Sequence, residues 1–541
     1  MPSKYEEGDP KSRICILGEA PSRMETRMGR PFIGPSGKLL ESCMHAAGVA
    51  RKECYLLNIW EEEVKKSRTG DRIMDQDGET LWTPKGGMTA LGEHMSSTTL
   101  TRLKNCSANV FVPLGGTALS YLFGDTRITK WRGSILQSPR LDRKLVPAIH
   151  PAASLRGNYL WRHLIAADLK RAKEESLSPE LDLPQRDILI RPTFQDVEDY
   201  LATIKKTKKT GVDIECLNHQ VSCISFALRW DTAIVIPFVG EGGEDYWSIE
   251  DEAKIWLMIA DIMGDPEIMK IGQNLIFDMS FMLRQNNVFT RGPIGDTMIA
   301  HHIVWPDFLK GLDFICSMLT REPYYKDDGK MWRKPWADLE VFWIYNGKDS
   351  CVAIEIWDAI QPELDDGFRR TYNETIELFD PLLFMMTKGM EVNKDELQKT
   401  KQKVEAEIKT KEEELVEVAE VSFNPLSPKQ CQEYFYVTKG IKPYVSRKTG
   451  RPTTDDKAMA RIFRKHNLRE AKLVQEIRSL RKLHGTYLDV GIDPDGRVRS
   501  SYGPRGTVTG RLNSSQSIFG TGMNMQNLHP EFKGFLVADS V

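Results

Sequence analysis

The chain is 541 residues long, and at roughly 150 residues per folding unit that length predicts three to four domains. Its 40% hydrophobic and 28% charged residues exclude a largely disordered, collagen-like or membrane-embedded protein. The 74 Lys and Arg nearly cancel the 76 Asp and Glu, leaving a formal charge of -2, so only local charge can point to a polyanionic partner. Nine cysteines without a C-x-x-C pair argue against a disulfide framework or zinc knuckle, and predict a reducing, cytoplasmic setting. No signal-like or membrane-spanning stretch is found, which predicts a soluble protein with no membrane partner.

In chain order, Ile14-Cys-Ile-Leu17 is a short apolar strand ending at Gly18, and Val110 to Leu114 is another ending at Gly115-Gly116. Each leads into a helix-like stretch, 37–48 and 117–123, the rhythm of an α/β domain. Tyr55-Leu-Leu-Asn58 ends a third strand and Val146-Pro-Ala-Ile-His150 a fourth. Strand ends of such a sheet share one edge, where ligands bind. A charged helix over 159–175 closes a first domain of residues 1–175, and the Ser-, Pro- and acid-rich 176–186 reads as a linker.

The segments Gly18-Glu-Ala-Pro-Ser22, Gly29-Arg-Pro-Phe-Ile-Gly34, Leu114-Gly-Gly-Thr-Ala118, Ile128-Thr-Lys-Trp-Arg-Gly133 and His150-Pro-Ala152 together resemble the uracil-DNA glycosylase superfamily, most closely its family 4 branch. That resemblance implies an α/β/α sandwich with a pocket for a flipped-out base. Phe32 would stack on the uracil, Asn58 would read its polar edge, Glu19 would stand at the water-activating position and His150 would stabilise charge on the departing base. Ser22 and Ala152 depart from the family pattern. Family 4 members hold an iron-sulfur cluster on four cysteines, two of them close together before the first strand. No cysteine precedes Ile14 here, so no iron-sulfur cluster is expected.

Residues 187–362 read as a second α/β domain: a strand at 188–191, a helix at 195–207, strands at 211–216, 221–229 and 232–238, then a helix at 249–262. Asp213 and Glu215 lie two apart on a strand, so both side chains point to one face. The same D-x-E triplet recurs at Asp196/Glu198, Asp265/Glu267 and Asp338/Glu340, where chance and solvated faces explain most of the occurrences. Asn274-Leu-Ile-Phe-Asp278 follows an apolar strand, and Tyr345-Asn-Gly-Lys-Asp349 reads as opening a helix. A pair of divalent cations needs several bridging and terminal carboxylates, and Asp213, Glu215, Asp278 and Asp349 would supply them, with Tyr345 orienting the attacking water.

The ordered set D-x-E, N-x-x-F-D and Y-x-x-x-D resembles the tyrosine variant of the DEDD exonucleases. It implies a ribonuclease H-like fold hydrolysing DNA from the 3′ end with two Mg²⁺, or Mn²⁺ in their place. Asp296, at an Asp-Thr strand-to-helix junction, is read as structural.

Beyond residue 363 the texture changes to long, charged, nearly Gly-free helices, above all Lys394 to Glu420, where i,i+4 pairing on a solvated face is the simplest reading. Thr509-Gly-Arg-Leu-Asn-Ser-Ser515 and Asn524-Met-Gln-Asn-Leu-His529 resemble the T-G-R-L-S-S and N-L-Q-N-I-P signatures of family A DNA polymerases. This implies a mostly helical thumb and the start of a palm over 363–541, with Lys482 and Arg511 contacting DNA phosphates and primer-template DNA as partner. The palm motif that should follow Phe535 to Ala538 is not met before the last residue, and Asp539 is not assigned as a metal ligand. The expectation is therefore an N-terminal portion of a phage-type polymerase, completed by a second polypeptide or by a missing remainder. Its function would be replication, with proofreading. The alternatives left open are a DNA-repair protein centred on uracil removal and a non-catalytic DNA-binding scaffold.

Overall fold

The computed structural model describes residues 6–67, 72–331, 338–447 and 449–538; Asp539 lies outside them. By packing, the chain divides into two compact units, Met1–Leu275 with Thr290–Arg369, and Ile276–Phe289 with Arg370–Val541. Among the described residues, no helix is long and apolar enough to cross a membrane.

Among the described residues the first unit contains two large sheets and a small one. In the first, β1 (Ile14–Gly18), β2 (Cys54–Asn58), β3 (Val110–Pro113), β4 (Leu136–Gln137) and β5 (Lys144–Leu145) stand in the order β2-β1-β3-β5-β4. The central strands are parallel and buried at every position, which is why they read as unbroken apolar runs rather than alternating ones. Helices α1 (Pro35–Ala46), α2 (Gly115–Phe123), α3 (Pro151–Arg156) and α4 (Trp161–Glu175) connect and cover them. The fourth strand is shorter than expected: Val146 to Ile149 continue past β5 with a single bridge, Leu114 to Ala148; Val146 and Ala148 still donate to the carbonyls of Phe111 and Pro113, but Pro113 has no N–H to return to the ladder. Four short antiparallel strands between 65 and 88 form a further small sheet that the sequence pattern did not announce.

The second sheet comprises β6 (Asp187–Leu189), β7 (Lys209–Leu217), β8 (Gln220–Arg229), β9 (Thr232–Pro237), β10 (Met269–Gly272) and β11 (Ile294–Asp296), ordered β6-β9-β8-β7-β10-β11. Its helices in this unit include α5 (Phe194–Thr207), α6 (Ile249–Gly264), α8 (Thr297–Val304), α9 (Leu312–Leu319) and α10 (Leu339–Ile360), while α7 (Leu275–Asn286), which follows β10 in the chain, belongs from Ile276 onward to the second unit. Tyr345 and Asp349 do not open their helix as expected. Asp338 caps α10 by accepting from the Glu340 N–H at 2.9 Å, so the helix starts more than a turn earlier and both residues sit mid-helix.

The other D-x-E acids are structural. Asp196 forms the capping box of α5 with Thr193, and Asp265 accepts from the Glu267 N–H at 2.8 Å and pairs with Lys208. Asp296, fully buried, accepts from the N–H groups of Ile299 at 2.9 Å and Leu275 at 2.8 Å, joining the starts of two helices. Burial pushes its carboxyl up to about 6 against those backbone hydrogen bonds.

In the second unit, α11 (Phe379–Lys388) leads to β12 (Met390–Val392), then α12 (Lys394–Ala419), α13 (Asp456–His466) and α14 (Arg469–Leu483). Strand β12 is flanked on both sides by antiparallel partners, β13 (Arg497–Val498) and the short strand Leu536–Val537. A hairpin of β14 (Ser500–Gly503) and β15 (Asn513–Gln516) lies between them in sequence. Two apolar clusters hold this unit, one around Phe435, Met459 and Ile477, the other around Leu397, Leu488 and Phe532.

Candidate functional site

The C-terminal ends of the first sheet open into a cleft of about 660 Å³ whose walls include Glu19, Phe32, Asn58 and His150. Gly18 permits that assembly, since a Cβ there would lie 2.2 Å from Asn58 Oδ1 and 2.6 Å from the Phe32 ring. Phe32 is buried and held at φ 53, a left-handed conformation costly for an aromatic residue. The loop is fixed from two sides. Arg51 donates to the carbonyls of Pro31 at 2.6 Å and Phe32 at 3.2 Å while pairing with Glu7 at 2.6 Å. Glu25 accepts from the N–H groups of Ser22 at 2.7 Å and Ile33 at 3.0 Å.

Glu19 accepts from the Thr117 hydroxyl at 2.8 Å and pairs with Lys66 at 2.9 Å. His150 caps α3, its Nδ1 accepting from the Ala152 N–H at 3.1 Å. Burial lowers its pKa, so the neutral ring carries its proton on Nε2 and can donate there. Thr117 and Lys66 escaped the sequence reading: the first sits inside an ordinary helix start, and the second lies on a strand too short to leave a pattern.

In the middle domain, Val212 and Ile214 of β7 are buried while Asp213 and Glu215 face the other way. Helix α10 crosses this sheet, and ligand atoms of Asp213, Glu215 and Asp349 all lie within 4.8 Å of one another. Asp278, buried in the first turn of α7, is not a member of that group. Neighbouring groups that the sequence did not disclose complete the cluster. Asn346 donates to Asp213 Oδ2 at 2.7 Å, and Tyr325 donates to Asp349 Oδ1 at 2.5 Å. Lys326 pairs with Asp349 and donates to the Tyr345 hydroxyl at 2.7 Å. Burial, then the charges of Asp349, Glu215 and Asp213, push the Tyr345 phenol far above its ordinary range. Hard carboxylate oxygens in this number suit Mg²⁺ or Mn²⁺.

In the second unit, Lys482 and Arg511 are exposed. Other cations of this unit are engaged internally: Arg481 with Glu412, Arg469 with Glu414, Arg499 with Asp493 and Asp495, and Arg478 with the backbone carbonyls of Pro425 and Thr454.

The profile of the uracil-DNA glycosylase superfamily matches residues 5–171, that of the 3′-5′ exonucleases residues 192–365, and that of DNA polymerase family A residues 394–531. A type-4 uracil-DNA glycosylase of Thermotoga maritima is 30% identical over 171 residues, 31% of this chain and 79% of that protein. The DNA polymerase of Bacillus phage SP01 is 21% identical over 606 residues, 94% of this chain and 62% of that polymerase. DNA polymerase I of Pseudomonas aeruginosa is 22% identical over 388 residues, 66% of this chain and 41% of that enzyme. The chain thus spans less than two thirds of either polymerase. It belongs to the uracil-DNA glycosylase superfamily through its first domain and continues, in the manner of a phage-type family A DNA polymerase, through a 3′-5′ exonuclease domain into a family A polymerase domain.

Proposed function

We propose that the chain is a cytoplasmic replication protein whose middle domain shortens DNA from the 3′ end, the first domain (1–175) and linker (176–186) preceding it and the polymerase body (363–541) following. The observation that carries this reading is the convergence of Asp213, Glu215 and Asp349, from positions far apart in the chain, with the Tyr345 hydroxyl joined to Asp349 through Lys326.

These three acids would hold divalent metal, with Asp278 added by the sequence motif. Two such ions, when bound, lower the pKa of an attacking water and stabilise charge on the leaving 3′ oxygen. Tyr345 would orient that water through its hydroxyl. Asn346 keeps the Asp213 carboxylate in one rotamer by donating to it. Lys482 and Arg511, exposed on the polymerase body, would meet the phosphates of primer-template DNA. Incubating the chain with end-labelled single-stranded DNA and Mg²⁺ tests the reading. Shortening should occur and should fall by about 10³-fold or more in Asp213→Ala, as loss of a metal ligand demands. Undiminished shortening in that variant would remove the assignment.

A second reading, uracil removal, is favoured by the cleft that gathers Glu19, Phe32, Asn58 and His150. Its ring wall, amide and neutral imidazole donor match a flipped base. Abasic-site formation on uracil-containing DNA, lost in Glu19→Ala and His150→Ala, is the expected result. No abasic sites with the unaltered protein would leave this domain a binding module.

A further inference from the structure

The first domain and the middle domain, apart from residues 276–289 of the latter, lie in one compact unit and meet along a seam that neither chemistry requires. Arg132, paired with Asp168 inside the first domain, also donates to Ser317 Oγ at 2.8 Å, and Arg171 donates to the Met318 carbonyl at 3.3 Å. The most specific contact is between the loop 128–134 and residues 324–327. Lys130 pairs with Asp327 and lies 4.4 Å and 4.5 Å from the ring centres of Trp131 and Tyr324. The Trp131 and Tyr324 rings meet edge-on at 5.5 Å, and the Tyr324 N–H donates to Ser134 Oγ at 3.2 Å.

The residues between these anchors turn inward. Tyr325 and Lys326 are the pair that reaches Asp349, and Lys326 also holds the Tyr345 hydroxyl. Four consecutive residues therefore have their ends fixed by one domain and their middle fixed on the acidic cluster of the other. Three carboxylates so close repel one another, and an ammonium held among few competing waters relieves that repulsion. A divalent cation is drawn to the same oxygens, so Lys326 and metal are rival counter-cations for Asp349.

We propose that Lys326 is the resident counter-cation of the exonuclease site and that the first domain, through Lys130 and Trp131, holds it there. The glycosylase-like domain thereby sets the divalent-metal affinity of the exonuclease. This rests on the metal reading of Asp213, Glu215 and Asp349 given above.

Mn²⁺ titration of the full chain, followed by electron paramagnetic resonance or calorimetry, tests it without relying on turnover. Lys326→Met should bind Mn²⁺ about tenfold more tightly, the scale of one partly shielded charge at close range. Lys326→Arg, which keeps the charge, should stay near the unaltered protein. The double variant Lys130→Ala/Trp131→Ala, which leaves every buried group of the cluster in place, should shift toward Lys326→Met. Equal or weaker binding in Lys326→Met, or tightening in Lys326→Arg to match it, overturns the counter-cation role. A double variant indistinguishable from the unaltered protein overturns the first domain's part. Retention of the Mn²⁺ site in Asp213→Ala is a separate result: it refutes the metal reading itself, and this inference falls with it.

Discussion

Glu7 shows how one charged side chain can shape a pocket it does not line. It pairs with both Arg30 and Arg51, and Arg51 in turn grips the carbonyls of the Phe32 loop. Burial alone would raise the Glu7 carboxyl, but the two guanidinium groups hold it down to about 2, below its ordinary 4.5. A carboxyl depressed in the folded state contributes stability that is complete above the unfolded value and is lost as pH falls toward the folded one. Stability should therefore decline between about pH 4.5 and 2 more steeply in the unaltered protein than in Glu7→Gln. Melting temperatures of both proteins across that window check this, and identical slopes would contradict it. The same scale shows what a sequence can disclose. Asp213 and Glu215 were legible because strand alternation fixes the face of each side chain. Tyr325, Lys326 and Asn346 were not. The first two lie where the backbone follows no period, and Asn346 is selected only by its distance from Asp213, a residue on another element.

Among the elements, α10 carries the most. It runs across the sheet and places the adjacent Tyr345 and Asn346 about one turn before Asp349, and its approach is set by glycines on both surfaces. A Cβ on Gly347 would lie 2.4 Å from Ile188 Cγ2 and 2.9 Å from Val235 Cγ2, and one on Gly211 would lie 2.4 Å from the Ser350 carbonyl oxygen. Gly347→Ala should accordingly push the helix off the sheet, costing about 1–3 kcal/mol as overpacking does. DNA shortening should fall with it, because the carboxylate of Asp349 moves away from Asp213 and Glu215. Chemical denaturation and the end-label assay measure the two effects, and a loss of stability with unchanged shortening would show that the cluster tolerates the shift. The apolar strands and most helices of both α/β domains were readable from hydrophobic runs and their punctuation. The start of α10 was not, because its cap, Asp338, resembles the other D-x-E acids and only the fold distinguishes a cap from a ligand.

At the scale of the whole molecule, family signatures revealed the order of the three domains, since each rests on local motifs that survive in sequence. How the domains are tied together was not readable, because those ties are single long-range contacts such as Arg132 to Ser317. Helix α7 is the case with the widest consequence. From Ile276 to Phe289 it packs with the polymerase body: Arg284 bonds Asp493 at 3.1 Å and lies 4.3 Å from the centre of the Phe519 ring, which Phe281 meets at 5.1 Å. Excising residues 187–362 as a free-standing nuclease would strip that helix of its support, baring an aromatic face and stranding a guanidinium whose acid partner stayed behind. Dissection at the boundaries suggested by motif would thus yield a fragment weaker than the parent along the very helix that bears Asp278, and a faithful dissection would have to follow packing rather than sequence order.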